Sequence, residues 1–195
     1  MQATQADQAG NVGTSAARTF RIDTTAPTLT ITAPASGAQT NDTTPTVAGT
    51  GGTATGDAAT VTVKIYSGAT ATGSPIQTVT PTVGGGGTWT FDAAALAEGT
   101  YTAQATQADN TTPPNTGTSA AVTWTVDTTP PNVALTAPAN GAVPGTHTPQ
   151  IAGTGSTGAT DLASVTVKIY SGTTATGSPV QTLTPALITL SLIHI

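Results

Sequence analysis

A small set of oxygen-bearing side chains in this sequence could bind a cation. Three carboxylates with amide and backbone oxygens would suit Ca²⁺, which takes about six to eight oxygen ligands. Asp before Thr or Asn is also a common turn former, because its carboxylate accepts nearby backbone N–H groups. The spacing contains no dedicated calcium motif such as an EF-hand loop, so we prefer the turn interpretation and keep calcium as the alternative. The candidate ligands are Asp23, Asp57, Asp109, Asn110 and Asn115.

Three further patterns could do chemistry, and each is better explained by a turn or loop. The letters GTGSTG at 153–158 fit GxGxxG, but the strand-like SVTVKIY follows them instead of the helix that would receive a pyrophosphate. His147 has Thr43 at its repeat position, so a unit that needed an imidazole base would lack it. Asp92 and Glu98 lie near a predicted turn and not across a cleft. We therefore predict no catalytic function.

Composition narrows the class of protein. The 195 residues carry a net charge of −5, only 7% of them are charged, and none is cysteine. Four cations leave no basic stripe for phosphates, so nucleic acid is not an expected partner. Without cysteine there is no disulfide and no thiolate metal site. No run of 18 apolar residues is present, so we predict no membrane span. Abundant Thr, Gly and Pro favour an all-β fold.

The chain repeats itself. VTVKIYSG stands at 61–68 and again at 165–172, and DTTAPTLTITAPASG from Asp23 returns as DTTPPNVALTAPANG from Asp127. The repeat has a period of 104 residues. A period of this length is typical of self-contained domains in series and not of a solenoid, whose repeats need their neighbours to fold. We predict the last strands of one unit at 1–22, a complete unit at 23–126 and a partial unit at 127–185. We expect both partial units to be poorly ordered, because each lacks strands that close a sandwich.

The tail at 186–195 does not follow the repeat. Its letters LSLIHI can be encoded by codons that resemble a transposon end used in preparing sequencing libraries. We expect residues from about 190 onward to be translated adapter and the chain to be a gene fragment, with any export signal or anchor outside it. A short apolar strand is the alternative. His194 receives no function under either interpretation.

Period-2 alternation between Gly- and Pro-rich turns predicts seven antiparallel strands in the complete unit, as in an immunoglobulin-like β-sandwich. The predicted strands are Leu29–Thr32, Thr46–Gly49, Val61–Ser67, Ile76–Val83, Thr88–Phe91, Thr100–Gln107 and Ala120–Val126. Their alternate positions predict one core face. The predicted core residues are Leu29, Ile31, Val61, Val63, Ile65, Trp89, Phe91, Tyr101, Ala103, Ala105, Val122, Trp124 and Val126.

Several motifs carry a family resemblance. LAEGTY at 96–101 is similar to a tyrosine corner, in which a Tyr hydroxyl bonds back to the preceding backbone. Together with GTYTAQATQAD and GTSAAVTWTVDTTPP, it resembles the tandem bacterial Ig-like repeats of large secreted surface proteins and adhesins. The resemblance implies a non-catalytic spacer or stalk that is extracellular or on the bacterial cell surface. Its partners would be neighbouring repeats, while other modules of the parent protein would reach glycans or proteins.

The sandwich topology also brings the candidate ligands together. The incoming linker, the loop between the second and third strands and the loop between the last two strands gather at one pole, and the family resemblance implies Ca²⁺ between units there. A rival function is an accessory carbohydrate- or protein-binding module of an extracellular enzyme. It would use Tyr66 and Tyr170, which share the outward parity of Lys64 and Lys168 and are expected on the solvent face.

Overall fold

The chain folds into β-strands joined by turns. A computed structural model describes residues 1–187 and the backbone of Leu192–His194, and these residues contain no helix, so the predicted all-β class is confirmed. The chain divides into two compact units, Met1–Thr128 and Thr129–Ile195. The strands of the first unit are β1 (Thr4–Ala6), β2 (Val12–Thr14), β3 (Thr30–Ala33), β4 (Gln39–Thr40), β5 (Thr46–Thr50), β6 (Thr62–Ser67), β7 (Gln77–Val79), β8 (Thr88–Asp92), β9 (Gly99–Ala108), β10 (Thr116–Thr118) and β11 (Val122–Val126). Those of the second are β12 (Val133–Ala137), β13 (Ala152–Gly155), β14 (Val167–Ile169), β15 (Gln181–Leu183) and β16 (Leu192–His194).

Two sheets of the first unit form a sandwich. One sheet has the strand order β3-β5-β8, and the other has the order β4-β11-β9-β6-β7, with β10 paired to the C-terminal end of β9. Neighbouring strands are antiparallel except β4 and β11, which are parallel. This arrangement confirms the predicted immunoglobulin-like sandwich.

The first strand of the sandwich is split between the two sheets. β3 pairs with β5, and the chain then crosses to the other sheet, where Gln39 and Thr40 lie opposite Thr125 and Val126. The sequence predicted β3 but not β4. A strand of two residues is too short for an alternation signal, so its position depends on the edge of β11 that it joins.

The core lies between the two sheets and follows the predicted alternation. Val61, Val63 and Ile65 of β6 and its N-terminal flank are fully buried, and so are Ala103 and Ala105 of β9. Because successive side chains of a strand point to opposite faces, these residues share one face of the sheet. The predicted core is confirmed except at Val122, which is buried but lies outside the core cluster. Ile31 and Phe91 lie at the partly buried edge of the core, and Val47, Ala93 and Leu96 are further members.

The last predicted strand is interrupted. Thr118 lies opposite Thr106 and Val122 lies opposite Ala103, so one extra residue is inserted between β10 and β11. Ser119 fills the gap, because its buried Oγ accepts a hydrogen bond from the N–H of Ala105 at 3.0 Å. This bulge explains why the prediction of one strand over Ala120–Val126 was wrong at its start.

The predicted tyrosine corner is present at the start of β9. The hydroxyl of Tyr101 donates a 2.9 Å hydrogen bond to the carbonyl oxygen of Ala97, four residues upstream. The ring is buried and lies 6.2 Å from the ring of Trp124. The corner therefore ties the turn before β9 to the core.

Tyr101→Phe should lower the free energy of unfolding of the first unit by about 1 kcal/mol, since one buried hydrogen bond is lost while the ring stays. Both Trp residues belong to this unit, so urea unfolding followed by tryptophan fluorescence measures it separately. Tyr66→Phe is the matched control, because no hydrogen bond of the Tyr66 hydroxyl is seen among the described residues. Equal losses in the two variants would contradict a specific role for the corner.

The predicted exposure of Tyr66 is wrong. Tyr66 shares the outer face of its sheet with Thr102, as its parity indicated, but only 8% of it is exposed. The chain that follows β6 bends back at Gly68, whose carbonyl oxygen accepts a 2.7 Å hydrogen bond from the hydroxyl of Thr102. Strand parity alone therefore did not determine solvent contact.

The hairpin β1–β2 repeats the end of the sandwich. Gln5 lies opposite Gly13 in the same register in which Gln107 lies opposite Gly117. β1 and β2 pair only with each other among the described strands, and their residues are exposed. A similar sequence thus gives a hairpin of the same register without the rest of the sandwich, although the loop between β1 and β2 is two residues shorter than that between β9 and β10.

The second unit repeats the first part of the sandwich. Its strands form two small sheets, with the order β12-β13-β16 in one and the pair β14–β15 in the other. Leu192 lies opposite Thr154, as Thr88 lies opposite Thr50 in the first unit. The origin of the tail stays a prediction, and its residues 188–191 and 195 lie outside the described residues.

Candidate functional site

The candidate ligands meet at one pole of the sandwich, which we call the acidic pole and define as Asp23, Asp57, Asp109, Asn110 and Asn115. Asp57 and Asp109 form an isolated β-bridge between their loops. The N–H of Asn110 donates to the carbonyl oxygen of Gly56 at 2.8 Å. The linker joins them, since Nδ2 of Asn115 donates to the backbone oxygen of Asp23 at 3.1 Å.

Asp109 organises the loop between β9 and β10. Its Oδ1 accepts hydrogen bonds from the N–H of Asn115 at 2.8 Å and from the hydroxyl of Thr111 at 2.6 Å. Its Oδ2 accepts from Nδ2 of Asn115 at 2.7 Å. Both carboxylate oxygens are therefore engaged in closing the loop, which is the turn chemistry typical of Asp.

These hydrogen bonds stabilise the ionised carboxylate. The hydrogen bond from the Thr111 hydroxyl has the largest effect and, with the smaller effects of the Asn115 side chain and backbone N–H groups, lowers the pKa of Asp109 from 3.8 to about 2. Desolvation opposes this shift and is second in size to the Thr111 hydrogen bond. Asp7 occupies the same place in the β1–β2 hairpin, and the side chain and N–H of Asn11 lower its pKa in the same way. The Asp–Asn pair is thus a repeated loop closure.

Acid should destabilise the first unit through Asp109. Its pKa is lower in the folded state than the usual 3.8, so the stability that its carboxylate contributes is complete above about pH 4 and is lost as the pH falls through about 2. We expect the urea midpoint of the unit to fall over this window and Asp109→Asn to flatten that fall. A carboxyl NMR titration that placed the pKa of Asp109 near 3.8 would contradict the loop geometry.

Asp57 closes the loop that follows β5. Its Oδ2 accepts a 2.9 Å hydrogen bond from the N–H of Ala54. In the second unit Asp161 holds the equivalent place, with its Oδ2 accepting from the N–H of Gly158 at 2.7 Å. The same bond forms in both units, so it does not depend on the other members of the acidic pole.

Asp23 is held within the linker. Its Oδ1 accepts from the N–H of Thr25 at 3.1 Å, and its Oδ2 pairs with Arg21 at 3.2 Å. Arg21 is largely exposed, so this ion pair contributes little to stability. The Asx-type turn at Asp23 sets the direction in which the linker enters the sandwich.

As arranged, the acidic pole does not fit a calcium site. The hydrogen bonds seen at its carboxylates come from backbone N–H groups, the Asn115 amide, the Thr111 hydroxyl and Arg21. A cation would have to displace these donors from the oxygens that they occupy. Among residues 1–187 and 192–194, no three His, Cys, Asp or Glu side chains are grouped to hold a metal ion. Calcium binding stays a prediction, and the contacts support turn formation for each of the three aspartates.

Gln107 is the residue of this pole that sequence reasoning missed. It is only 2% exposed, and its side-chain amide bonds both backbone groups of Gly52, accepting at 2.8 Å and donating at 3.0 Å. It also donates to the carbonyl oxygen of Ala58 at 2.6 Å. The sequence did contain a signal for its burial, because Gln107 follows Tyr101, Ala103 and Ala105 at alternate positions of the strand and therefore lies on the same face.

The other candidates for chemistry have structural roles or lie in solvent. Asp92 accepts a 2.6 Å hydrogen bond from the hydroxyl of Thr46, and Glu98 accepts one from the hydroxyl of Thr128. His147 is exposed. The GTGSTG stretch forms β13 and the loop after it, and no helix follows it within the described residues. No nucleotide or hydrolytic site is built from these residues.

The fold and the loop pole define an immunoglobulin-like domain without a cysteine pair. A family model for the bacterial Ig-like domain matches residues 30–128, and the chain belongs to that family. Such domains are structural, generally non-catalytic modules that commonly occur in extracellular or surface proteins. A comparison with curated proteins gave no match. None of the described residues lies in a helix that could cross a membrane.

Proposed function

We propose that this chain is a load-bearing spacer of a secreted or cell-surface, adhesin-like bacterial protein, whose units fold separately and whose binding activity lies in other modules. The observation that supports this function is the parallel pairing of the first and last strands of the sandwich. β4 lies near the entry of the unit and β11 lies at its exit. The linkers on either side are rich in Thr and Pro, and Pro limits their freedom.

Parallel pairing at the two ends matters because of the direction of load. Three backbone hydrogen bonds join the segments: Gly37 N–H to Thr123 O at 2.7 Å, Thr125 N–H to Ala38 O at 2.9 Å and Asp127 N–H to Thr40 O at 2.9 Å. Tension between the ends of the unit pulls these segments along their length in opposite directions. The bonds lie across that direction and must break together, so the unit resists extension until they do.

Single-molecule force spectroscopy on the chain tests the spacer function. We expect the first unit to open in one discrete step and Asp127→Pro to lower the force of that step, because Pro has no N–H to donate to Thr40. Thr80→Pro, after β7 and outside the paired end segments, is the control and should leave the force unchanged. Gradual extension at low force, or equal effects of both variants, would rule out a load-bearing role.

The rival function is an accessory carbohydrate- or protein-binding module, and its carbohydrate-binding form loses its main support. An aromatic platform for a sugar needs an exposed ring face, whereas Tyr66 is buried against its own sheet. Trp89 and Trp124 are core residues. The complete unit therefore offers no aromatic platform among its described residues, which favours the spacer.

The spacer does not need a cation at the acidic pole. We expect the thermal unfolding of the chain to be the same in EDTA and in about 1 mM Ca²⁺, the range in which extracellular modules bind calcium. The reason is that the loop carboxylates already accept N–H groups. Mg²⁺ at the same concentration controls for ionic strength. Stabilisation by Ca²⁺ alone would restore the calcium prediction, and small-angle scattering would then show whether the linkers stiffen.

A further inference from the structure

One exposed turn of the second unit carries a residue pair with its own chemistry. Asn140 is followed by Gly141, and none of the other five asparagines of the sequence precedes a glycine. The side-chain amide of an asparagine can react with the backbone nitrogen of the next residue. Glycine at that next position leaves the nitrogen accessible, because it has no Cβ. This pair is therefore the place in the chain where such a reaction meets the least hindrance.

The same turn is present in the complete unit. The N–H of Ala142 donates to the carbonyl oxygen of Ala139 at 3.0 Å, and the equivalent hydrogen bond of the complete unit has the same length. Gly141 has a φ of 75°, and Gly37 at the equivalent position has a φ of 77°. A positive φ at this position of a turn favours glycine. The turn is thus determined by its own four residues and does not depend on the strands that complete a sandwich.

The surroundings of Asn140 leave its side chain available. Asn140 and Gly141 are both exposed, and no hydrogen bond of the Asn140 side chain is seen among the described residues. The side-chain amides of Asn11 and Asn115, in contrast, donate to aspartate carboxylates at 2.8 and 2.7 Å. A Cβ added at Gly141 would meet no atom within 4 Å apart from its neighbours in the chain. The space beside the Gly141 nitrogen is therefore open.

We propose that Asn140 is a site of spontaneous deamidation. The Gly141 nitrogen loses its proton to base in the solvent and attacks Cγ of Asn140. The C–N bond of the side-chain amide then breaks, so that ammonia leaves and a cyclic imide forms between the two residues. Water adds to one of the two imide carbonyls and opens the ring, which gives an aspartyl or an isoaspartyl residue at this position. Water is the only co-reactant, and the product adds one negative charge to the turn.

The position of the turn gives this reaction a consequence for a complete sandwich. In the first unit the same turn lies directly before β4, and the N–H of Gly37 donates to the carbonyl oxygen of Thr123 at 2.7 Å. This is the first of the hydrogen bonds that join the paired end segments. An isoaspartyl residue adds one carbon to the backbone ahead of that N–H, so we expect it to weaken the pairing. The importance of this loss under load rests on the proposed spacer function.

Incubation of the full chain in mildly alkaline buffer tests the reaction itself. Anion exchange should resolve an acidic species that grows with time, and mass spectrometry of its peptides should place the change from amide to acid at Asn140. Enzymatic methylation specific for isoaspartyl carboxylates should label the same peptide. A chain that stays unmodified at Asn140 would overturn the proposal. Reaction in urea alone would overturn it as well, because the folded turn would then block the attack.

Three variants assign the reaction to this pair. Asn140→Ser introduces the residue that the complete unit has at this position, Ser36, and should abolish the acidic species. Gly141→Ala should slow its formation by about tenfold, which corresponds to about 1.4 kcal/mol in the activation free energy, because the methyl group hinders the nitrogen. Asn41→Ser is the control, since Asn41 is exposed but precedes an aspartate, and it should leave the rate unchanged. An acidic species that persists in Asn140→Ser would assign the reaction to another residue and overturn the proposal.

The consequence for the sandwich is tested in the complete unit by exchanging the residues of the two turns, Ser36→Asn together with Asn140→Ser. This chain is aged in urea, refolded and separated, and its isoaspartyl form is compared with fresh protein by urea unfolding followed by tryptophan fluorescence. The isoaspartyl form should unfold at a lower urea concentration. Ser36→Asp, which has the same charge on an ordinary backbone, should match the fresh protein. Equal midpoints for the isoaspartyl and fresh forms would overturn the link to the end segments, while the force measured for Asp127→Pro would still decide the spacer function separately.

Discussion

Trp124→Ala should lower the free energy of unfolding of the first unit by about 3–5 kcal/mol, the usual cost of removing a large aromatic side chain from a core. Trp124 is 1% exposed, lies at the centre of β11 and packs beside Tyr101. Its indole N–H has no hydrogen-bond partner among the described residues. The expected loss of stability therefore comes from packing, and Trp124→Phe should retain much of the stability that Trp124→Ala loses.

Urea unfolding followed by the fluorescence of Trp89 measures this effect, since Trp89 is the tryptophan that remains and lies in the same core. Phe20→Ala is the matched control, because Phe20 holds the same repeat position but is mostly exposed. This variant should change stability by less than about 0.5 kcal/mol. Equal losses for Trp124→Ala and Phe20→Ala would contradict the assigned core.

The interior of the sandwich could be predicted because its signal is local. Alternation along β6, β8, β9 and β11 reports which side chains face the other sheet, and the corner at Tyr101 has its own short motif. The bulge at Ser119 could not be predicted, because it depends on which residue of β10 lies opposite β9. The strand β4 could not be predicted for the same reason, because its pairing depends on β11, about 85 residues further along the chain.

The acidic pole shows a similar division. Topology brought Asp57, Asp109 and Asn115 to one end of the sandwich, as predicted, but it did not determine what their oxygens do. That role depends on the few N–H groups within reach of each carboxylate, and these are set by loop conformation. The repeats could have indicated it, since Asp7 is followed by Asn11 as Asp109 is followed by Asn115.

Gln107 shows where parity carried more information than residue type. Gln107 was not among the predicted core residues, yet its side chain lies on the same face of β9 as those of Ala103 and Ala105 and is buried. A buried amide is stable there only when its donors and acceptors are all paired. Gln107 meets this condition by bonding the backbone of the loop after β5.

Gln107→Leu should therefore lower the free energy of unfolding of the first unit by about 3 kcal/mol, although leucine has nearly the same volume. Three hydrogen bonds are lost, and two backbone groups of Gly52 and the carbonyl oxygen of Ala58 lose their partner at the edge of the core. Urea unfolding followed by tryptophan fluorescence gives the magnitude. Hydrogen exchange at the Gly52 amide should quicken, because in the native protein that N–H donates to the Gln107 side chain, which the variant lacks.

Gln5→Leu is the matched control for this prediction, since Gln5 has the same sequence context and hairpin register but is exposed. It should leave the stability of the first unit unchanged. A stable Gln107→Leu variant with slow exchange at Gly52 would mean that the loop after β5 is held by Asp57 and not by the buried amide. If Gln107 holds the loop as we expect, Asp57→Ala should quicken hydrogen exchange at the Ala54 amide and leave the Gly52 amide protected. The reason is that Asp57 accepts from the N–H of Ala54, whereas Gln107 accepts from the N–H of Gly52.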